Sequence, residues 1–391
     1  MKTARRYLAT EIYRSSAVVL LALVGLFTFF SLVDDLDQVG RGDFKLYHLV
    51  FLEALALPTR LYDILPIGLL IGAILGLAGL AQRHELVILR VSGVSGLRML
   101  AMLWAATIPI VVLALLLAEF ITPAAELKLS ETKLSYTGSA GRNSGVLRSG
   151  YWFKEATPEG ERIINVGALQ TGGRSLAITL YNFNAARQLT STMTAASGVF
   201  GTGQIVLSEV TVNAISVETE SALAKGSRSI APAVVVSKTA IHTLPTSLTP
   251  ELLIARVLTP ERMSFIDLFD YIGYLSTNHL VAERQIVAVW RKLIYPFTLL
   301  VMVTIAAPLG FMQTRRGGVG AKVFIGILLG VGFFMLNQLA LNVGMLNRWP
   351  AWLTAVGPNA LALLCAMLAM GWVEYGSSLQ RRWGRQLEKS A

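Results

Sequence analysis

Glu85 lies in a short amphipathic segment whose residues are suited to binding a second protein. The segment follows an uncharged run at 64–81 and combines arginines with closely spaced apolar residues. Such a helix can dock on a separate motor subunit through an apolar ridge and an exposed carboxylate. The candidate docking residues are Glu85, Arg83, Leu86, Leu89 and Arg90. The alternative is a connector whose basic residues only anchor it to anionic lipid headgroups.

Three basic residues are candidates for binding phosphate groups. Lys133 follows the third apolar run, and Arg291 and Lys292 precede the fourth. The expected topology puts them on the outer side of a membrane, where an excess of basic residues is not required. Lysine and arginine form charge-assisted hydrogen bonds with phosphate oxygens, so a lipid headgroup is a suitable ligand. The alternative is that their charged ends only extend to the membrane interface.

Catalytic chemistry is not indicated. The GGVGAK segment at 317–322 lacks the Walker A spacing, so the chain is not expected to hydrolyse ATP. The sequence has no GxSxG motif and no carboxylate pair at catalytic spacing within its apolar runs. Its four histidines are scattered and its one cysteine, Cys365, lies in an apolar run. Neither a metal site nor a bound cofactor is therefore predicted.

Composition and charge indicate an integral membrane protein. The chain is 54% hydrophobic and 15% charged, whereas about a quarter of the residues in an average soluble domain are charged. The net charge of +10 is found in short segments beside apolar runs. This placement follows the positive-inside rule and does not favour nucleic-acid binding.

Six apolar runs are predicted to cross the membrane. They cover residues 15–33, 64–81, 99–118, 293–314, 323–347 and 349–373, and each approaches the roughly 20 residues that a bilayer requires. Basic residues at both termini, at 83–98 and at 315–322 put these segments in the cytoplasm. Four glycines between 68 and 79 share one face of the second run, and this face is expected to pack against protein.

The segment between the third and fourth runs is predicted to be an all-β domain outside the cytoplasm. Short β-rich runs at 176–180, 204–207 and 233–236 alternate with glycine, serine and asparagine clusters. This pattern favours an antiparallel sandwich or jelly roll over an α/β fold. Residues 249–251 resemble a helix start, and Ser264 and Asp267 resemble a capping box for a helix that ends near Asn278.

The predicted fold class is a membrane α-helical protein with three spans before and three after an inserted β domain. Residues 1–121 would form the first three spans, with a coupling helix at about 82–92. Residues 122–262 would form the jelly roll. Residues 263–391 would form a connecting helix, three further spans and a basic tail.

Large apolar residues in the first and fifth runs are candidates for lining a cavity that holds acyl chains. They are Leu23, Phe27, Phe30, Phe324, Leu328 and Met335. The alternative is that they are ordinary lipid-facing or core residues.

Several motifs resemble one family of membrane proteins. LAQRHELVILRVSG at 80–93, preceded by LPIGLLIGAILGL at 65–77, is similar to the end of the second span in the LptF/LptG permeases of lipopolysaccharide transport. EFITPAAE at 119–126, YWFKE at 151–155, and Trp290 with Lys292 agree with this family. The similarity covers nearly the whole chain, and the Ala-Gln-Arg-x-Glu-Leu form resembles the LptG branch more than the LptF branch.

The resemblance implies a permease that works with several partners. Family members form a heterodimer of LptF and LptG in the bacterial inner membrane, each with six spans and a periplasmic β-jellyroll. A dimer of the ATPase LptB uses ATP and Mg²⁺ to drive extraction of lipopolysaccharide from the outer leaflet. The lipid then passes through LptC to the bridge protein LptA. The resemblance puts Glu85 and Arg83 against LptB, Lys133 near the lipid phosphates, and the first and fifth spans around the lipid cavity.

The first span departs from the family pattern at its outer end. Family members can carry lysines there, whereas this chain has Ser31 and acidic residues within 34–37. Either the phosphate contacts move to Lys133, Lys45 or Arg41, or a divalent ion bridges acid and phosphate. The alternative function is a non-transporting membrane adaptor whose β domain recruits envelope partners.

Overall fold

The chain divides into two compact units. The helical unit comprises Met1–Asp35, Ala56–Ala125 and Glu283–Ala391, and the β unit comprises Leu36–Leu55 and Glu126–Ala282. The structure, a computed structural model, describes residues 2–40, 44–140, 150–169, 174–201, 203–215, 234–249, 252–253, 258–311 and 319–390. Within these residues, six helices are long and apolar enough to cross a membrane.

The predicted apolar runs lie mainly within long helices. The helices are α1 (Lys2–Asp35), α2 (Leu46–Gln82), α3 (Glu85–Val91), α4 (Gly96–Leu116), α5 (Thr122–Ala140), α6 (Phe265–Thr277), α7 (Glu283–Phe311), α8 (Val319–Leu346) and α9 (Ala351–Ser390). A π-helix at Leu117–Ile121 joins α4 to α5. The structure confirms helices at all six runs, and α2 begins much earlier than the apolar run inside it.

The core of the helical unit brings α1, α2, α3, α4 and α7 together. Its innermost side chains are aliphatic residues and methionine, which leave no polar atom unsatisfied in an apolar environment. The members with at most 1% exposure are Leu8, Ile12, Leu69, Leu77, Leu80, Met99, Leu103, Ala114, Leu299, Val303 and Ala307. Close packing among these side chains holds the helices together where the surrounding lipid is equally apolar.

The glycine face of α2 packs against α1, as its spacing predicts. A Cβ atom built at Gly72 would lie 2.4 Å from the Cα of Ser16, and one at Gly68 would lie 2.3 Å from the side chain of Leu20. One at Gly76 would lie 3.4 Å from the backbone oxygen of Glu11. The glycines therefore let the two backbones approach to a distance that any side chain would prevent.

Gly72→Ala is expected to destabilise the helical unit by about 1–3 kcal/mol, because the new methyl group overlaps the Ser16 backbone and no flexible side chain can move aside. The melting temperature of the purified protein in detergent measures the loss. Gly25→Ala is the matched control, since a Cβ at Gly25 on α1 meets nothing within 4 Å. Equal melting temperatures for the two variants would contradict the close approach.

The β unit contains a six-stranded antiparallel sheet. Its strands are β1 (Tyr151–Thr157), β2 (Gly160–Leu169), β3 (Arg174–Asn184), β4 (Leu189–Phe200), β5 (Gln204–Ile215) and β6 (Val234–Pro245). Each strand pairs with the next in chain order. The sheet confirms a β domain within the segment. The all-β prediction was wrong for residues 122–140, which form α5 because their alanine, glutamate, leucine and lysine residues are strong helix formers. The jelly roll stays a prediction, because the described strands follow the order of a meander.

A transverse crease crosses this sheet. Ala177 in β3 and Glu209 in β5 have positive φ values of 54°, and the pairing skips them and Ala196 on the strand between them. At this row of unpaired residues, each strand changes the face that it turns toward the interior. In β5, Ile205 and Leu207 are buried before Glu209, and Val210 is buried directly after it. The left-handed residues thus reverse the alternation of side chains and keep an apolar face inward on both sides of the crease.

Ala177→Gly is expected to stabilise the β unit by about 1 kcal/mol, because it removes the Cβ that disfavours the left-handed conformation. Ala196→Gly in the neighbouring strand is expected to destabilise it by about 0.5–1 kcal/mol, because glycine there only adds chain entropy to the unfolded state. Thermal unfolding of both variants, monitored by limited proteolysis of the β unit, tests whether the two changes in stability have opposite signs. Two losses of equal size would contradict the crease.

Helix α6 covers the outer edge of β1. Tyr274 Oη donates to the Lys154 carbonyl at 2.7 Å, and the Ala156 N–H donates to Asn278 Oδ1 at 2.7 Å. The helix begins with Ser264 as its N-cap, which accepts from the Asp267 N–H at 3.1 Å. The predicted N-cap at Ser264 and the helix end near Asn278 are therefore confirmed. The Asp267 carboxylate accepts from the Ser264 hydroxyl.

Parts of the predictions lie outside the described residues. These include Arg41 of the alternative phosphate contacts, residue 233 of the third β-rich run, residues 250 and 251 of the predicted helix start, and most of the 315–322 connector. Thr249 O accepts a hydrogen bond from Leu253 N. The predicted domain limits at 121 and 262 stay predictions.

Candidate functional site

The predicted coupling segment forms its own short helix, α3. His84 separates it from α2 with a φ of 59°, and Gly93 follows it with a φ of 89°. The Ser92 hydroxyl donates to the Leu89 carbonyl at 2.8 Å, and the Val94 N–H bonds to the same carbonyl. Both ends of α3 are thus defined by sharp local turns, and the helix is a distinct element between two spans.

The outward face of α3 differs from the predicted docking residues. Leu86 is 5% exposed and belongs to the core of the helical unit, and Leu89 is partly buried against that core. Ile88 and Val91 are 67% and 83% exposed. The apolar surface that α3 offers to another molecule therefore consists of Ile88 and Val91. The side chain of Arg90 lies outside the described residues.

Glu85 and Arg83 lie at the start of α3 and contact α1. Arg83 Nη2 donates to Glu11 Oε1 at 2.5 Å, and Arg83 Nε lies 3.9 Å from Glu85 Oε1. Tyr7 on α1 interacts electrostatically with Glu85. Glu85 Oε2 has no hydrogen-bond partner within the described residues. The hydrogen bond to Glu11 raises the pKa of Arg83, so this guanidinium remains charged.

Lys292 forms an ion pair inside the helical unit. Its side chain is 7% exposed, and Nζ lies 3.3 Å from Glu119 Oε2 on the π-helix that ends α4. The wider turn of a π-helix is often found at functional positions. The structure thus gives Lys292 a carboxylate partner within the chain, which the sequence pattern did not indicate.

Arg291 lies near a pair of tyrosines. Tyr62 and Tyr295 stack with ring centroids 4.1 Å apart, and Tyr295 Oη donates to the Tyr62 carbonyl at 2.6 Å. Arg291 is half-buried and interacts electrostatically with Tyr62. Lys133 is exposed on α5 and belongs to the β unit. Of the three predicted phosphate-binding residues, Arg291 and Lys292 are adjacent in one unit and Lys133 lies in the other.

The predicted cavity residues face outward from the chain. Leu23 is half-buried, and the other five are exposed, namely Phe27, Phe30, Phe324, Leu328 and Met335. Only 11% of the most apolar window of α1 and of α8 is buried inside the chain. The outward faces of these two helices are therefore available to lipid, to a substrate or to a second membrane subunit.

Glu155 is the centre of a buried polar network in the β unit. Its carboxylate accepts from Thr246 Oγ1 at 3.0 Å and from the Ser247 N–H at 2.9 Å, and Arg162 Nη1 lies 4.0 Å away. Arg162 Nη1 also donates to the Pro245 carbonyl at 2.9 Å. The network ties the first two strands to the chain directly after the last strand. The YWFKE motif at 151–155 therefore contains a structural carboxylate, that of Glu155, which the sequence pattern did not indicate.

A cavity of about 410 Å³ lies between α6 and the first strands of the sheet. Its walls are mostly aromatic and aliphatic, with Trp152, Tyr271 and Leu280 among the lining residues. Lys154 also lines it, and its Nζ lies 2.9 Å from Glu161 Oε1. The hydrogen bond from Lys154 lowers the pKa of Glu161, so the charges of this pair balance near neutral pH.

Comparison with known proteins agrees with the fold and with the motif at 80–93. The family model "Lipopolysaccharide export system permease LptF/LptG" matches residues 6–371. The chain is 27% identical to the lipopolysaccharide export system permease protein LptG of Escherichia coli K12 over 93% of its own length and 96% of the relative. It is 24% identical to the protein of the same name from Haemophilus influenzae, over 93% and 97% of the two chains. The chain belongs to the LptF/LptG family of lipopolysaccharide export system permeases.

Proposed function

We propose that this chain is a permease subunit of an ATP-driven exporter in the bacterial inner membrane. It would extract lipopolysaccharide from the outer leaflet and pass it to a periplasmic bridge. The chain itself is a transmembrane component and not an enzyme, so ATP and Mg²⁺ would be used by a partner subunit. The observation that carries the proposal is the exposed apolar pair on α3 beside Glu85, within a chain that matches the family from residue 6 to 371.

The proposed topology puts both termini and α3 in the cytoplasm and the β unit in the periplasm. Basic residues near the N-terminus and in the connector at 83–98 support this orientation. Three spans would precede the β unit and three would follow it, with domain limits near residues 121 and 262. The β unit would act as a jelly roll whose two halves meet at the crease.

The proposed partners follow from the family. A second permease, LptF, would complete the membrane heterodimer, and a dimer of LptB would bind the two coupling helices. LptC and LptA would receive the lipid in the periplasm. On this chain, Ile88 and Val91 would bury their exposed apolar surface against LptB, beside the partly exposed side chain of Glu85.

The proposed mechanism transmits motion and makes no covalent bond. ATP binding by LptB would shift α3, and the shift would reach α2 through the short turn at His84. The cavity formed by the outward faces of α1 and α8 and by the second permease would then narrow. Expelling acyl chains from a bilayer costs about 0.8 kcal/mol per CH₂ group, so the direction must come from ATP.

The phosphate groups of the lipid would be bound by basic residues at the outer side. Lys133 is exposed, and Arg291 is half-buried beside the tyrosine pair. Lys292 would act with Arg291 through its ion pair with Glu119, since a phosphate beside this pair could share the lysine. The acyl chains would lie against Phe27, Phe30 and the exposed apolar residues of α8.

The test is ATP-driven lipid release by the native complex. The chain would be affinity-purified from its own membrane, its companions identified, and the complex placed in vesicles that contain lipopolysaccharide. Release that requires both a co-purifying ATPase and ATP is the expected result. A complex without an ATPase would overturn the proposal and favour a non-transporting adaptor.

A further inference from the structure

Arg83 and Glu11 connect the coupling helix to α1 at a point where α2 ends. Arg83 directly follows α2 and precedes α3 by one residue, whereas Glu11 lies in the third turn of α1. The ion pair is 2.5 Å long, with Arg83 49% exposed and Glu11 21% exposed. Since 72 residues separate the two, this contact closes the helical hairpin of α1 and α2 at the end that carries α3.

The surrounding packing makes this pair a fixed part of the junction. A Cβ at Gly79 would lie 3.7 Å from Arg83 Nη2 and 3.8 Å from Glu11 Oε1. Leu8 and Ile12 flank Glu11 on α1 and share a core with Leu86 of α3. The ion pair, which joins α1 to the turn just before α3, therefore lies beside an apolar contact between α1 and α3.

The same helix α1 carries the residues proposed to contact acyl chains. It is continuous from Lys2 to Asp35 and contains no proline. Phe27 is 16 residues after Glu11, which is about 24 Å along the axis at 1.5 Å per residue. One continuous helix therefore connects Glu11 with the exposed aromatic side chains.

We propose that the Arg83–Glu11 ion pair transmits the movement of the coupling helix to α1, so that α1 and α2 move as one body during the transport cycle. The proposal rests on the proposed function of the chain. Arg83 is then a positioning residue, because its guanidinium binds Glu11 of the same chain. Glu85, Ile88 and Val91 provide the surface for the ATPase. Loss of the pair should therefore separate ATP hydrolysis from lipid movement.

The test measures both activities of the purified complex in vesicles. Glu11→Gln should retain ATP hydrolysis within about twofold of the unchanged protein, and Arg83→Gln is compared by its release per ATP alone because Arg83 also borders Glu85. Each should lower the lipopolysaccharide released per ATP about fivefold, the factor that corresponds to an interaction of about 1 kcal/mol. The double variant Glu11→Arg with Arg83→Glu restores the pair with reversed charges and should recover most of the release per ATP.

Controls separate this proposal from its rivals. Arg98→Gln removes one positive charge from an exposed position of the same connector and should leave both activities unchanged. Melting temperatures show whether each variant is folded. Normal release per ATP in the single variants, or no recovery in the reversed pair when it is folded, would overturn the link. Absence of ATP-driven release by the unchanged complex would instead overturn the proposed function.

Discussion

Glu85→Lys is expected to lower lipopolysaccharide release by about 30-fold or more. The reversed charge meets whatever donor on the ATPase pairs with this carboxylate, and breaking a desolvated charge pair costs about 2–5 kcal/mol. The new lysine also lies beside Arg83, whose guanidinium is 3.9 Å from the present carboxylate. ATP-driven release in vesicles and co-purification of the ATPase are the two measurements.

The matched control for this prediction adds a lysine to the same connector away from α3. Leu97 lies at the start of α4 and is exposed, so Leu97→Lys should leave ATPase binding and lipid release near normal. Glu85→Gln, which removes the charge without reversing it, should give an intermediate loss. A Glu85→Lys complex that binds the ATPase and releases lipid normally would contradict the role given to Glu85.

Glu155→Ala is expected to destabilise the β unit by about 3 kcal/mol. The carboxylate is 6% exposed and lies 4.0 Å from Arg162, whose side chain is 11% exposed, so its removal leaves a buried cation without its carboxylate. Two donors, the Thr246 hydroxyl and the Ser247 N–H, lose their acceptor as well. Limited proteolysis of the full-length protein over a temperature series measures the stability of this unit.

Glu159→Ala provides the control for this effect. Glu159 lies four residues further along, in the turn between β1 and β2, and is exposed, so its loss should change the stability by less than about 0.5 kcal/mol. If the two variants are cleaved at the same temperature, the network around Glu155 does not hold the unit together.

The membrane helices could be predicted from sequence because each contains an uncharged run of sufficient length. The start of α2 at Leu46 could not, because Glu53, Arg60 and Asp63 interrupt the apolar pattern before the run at 64–81. The glycine spacing correctly predicted which face of α2 packs against protein. It did not identify α1 as the neighbour, since a small-residue face only indicates that some backbone comes close.

The crease limited the prediction of β5, whose predicted run at 204–207 ends before Glu209, whereas the run predicted in β3 includes Ala177. The run at 176–180 is part of the 11-residue strand β3, and the run at 204–207 is part of the 12-residue strand β5. Alternation with period two fails at Ala177 and Glu209, where a left-handed residue reverses the inward side. In β5 the alternation of apolar and polar residues ends before Glu209, whereas the strand continues to Ile215.

The candidate site could be predicted only in part, because the sequence pattern does not show which side of α3 faces inward. A helix was predicted at about 82–92, and α3 covers 85–91. Five of its seven positions are apolar, so the sequence alone does not show which of them face inward. The structure buries Leu86 and exposes Ile88 and Val91. The pairing of Arg83 with Glu11 crosses 72 residues, and no local pattern indicates a contact at that separation.

The cover that α6 provides for β1 has a consequence for synthesis of the protein. Asn278 follows the strand residue that it caps, Ala156, by 122 positions. At about 5–20 residues per second, a ribosome needs about 6–24 s to make this part of the chain. During that interval the β1 edge has emerged without its cap and can pair with a foreign strand. The first strand to be made is therefore among the last to be protected, and slow translation between these positions would increase the yield of misassembled protein.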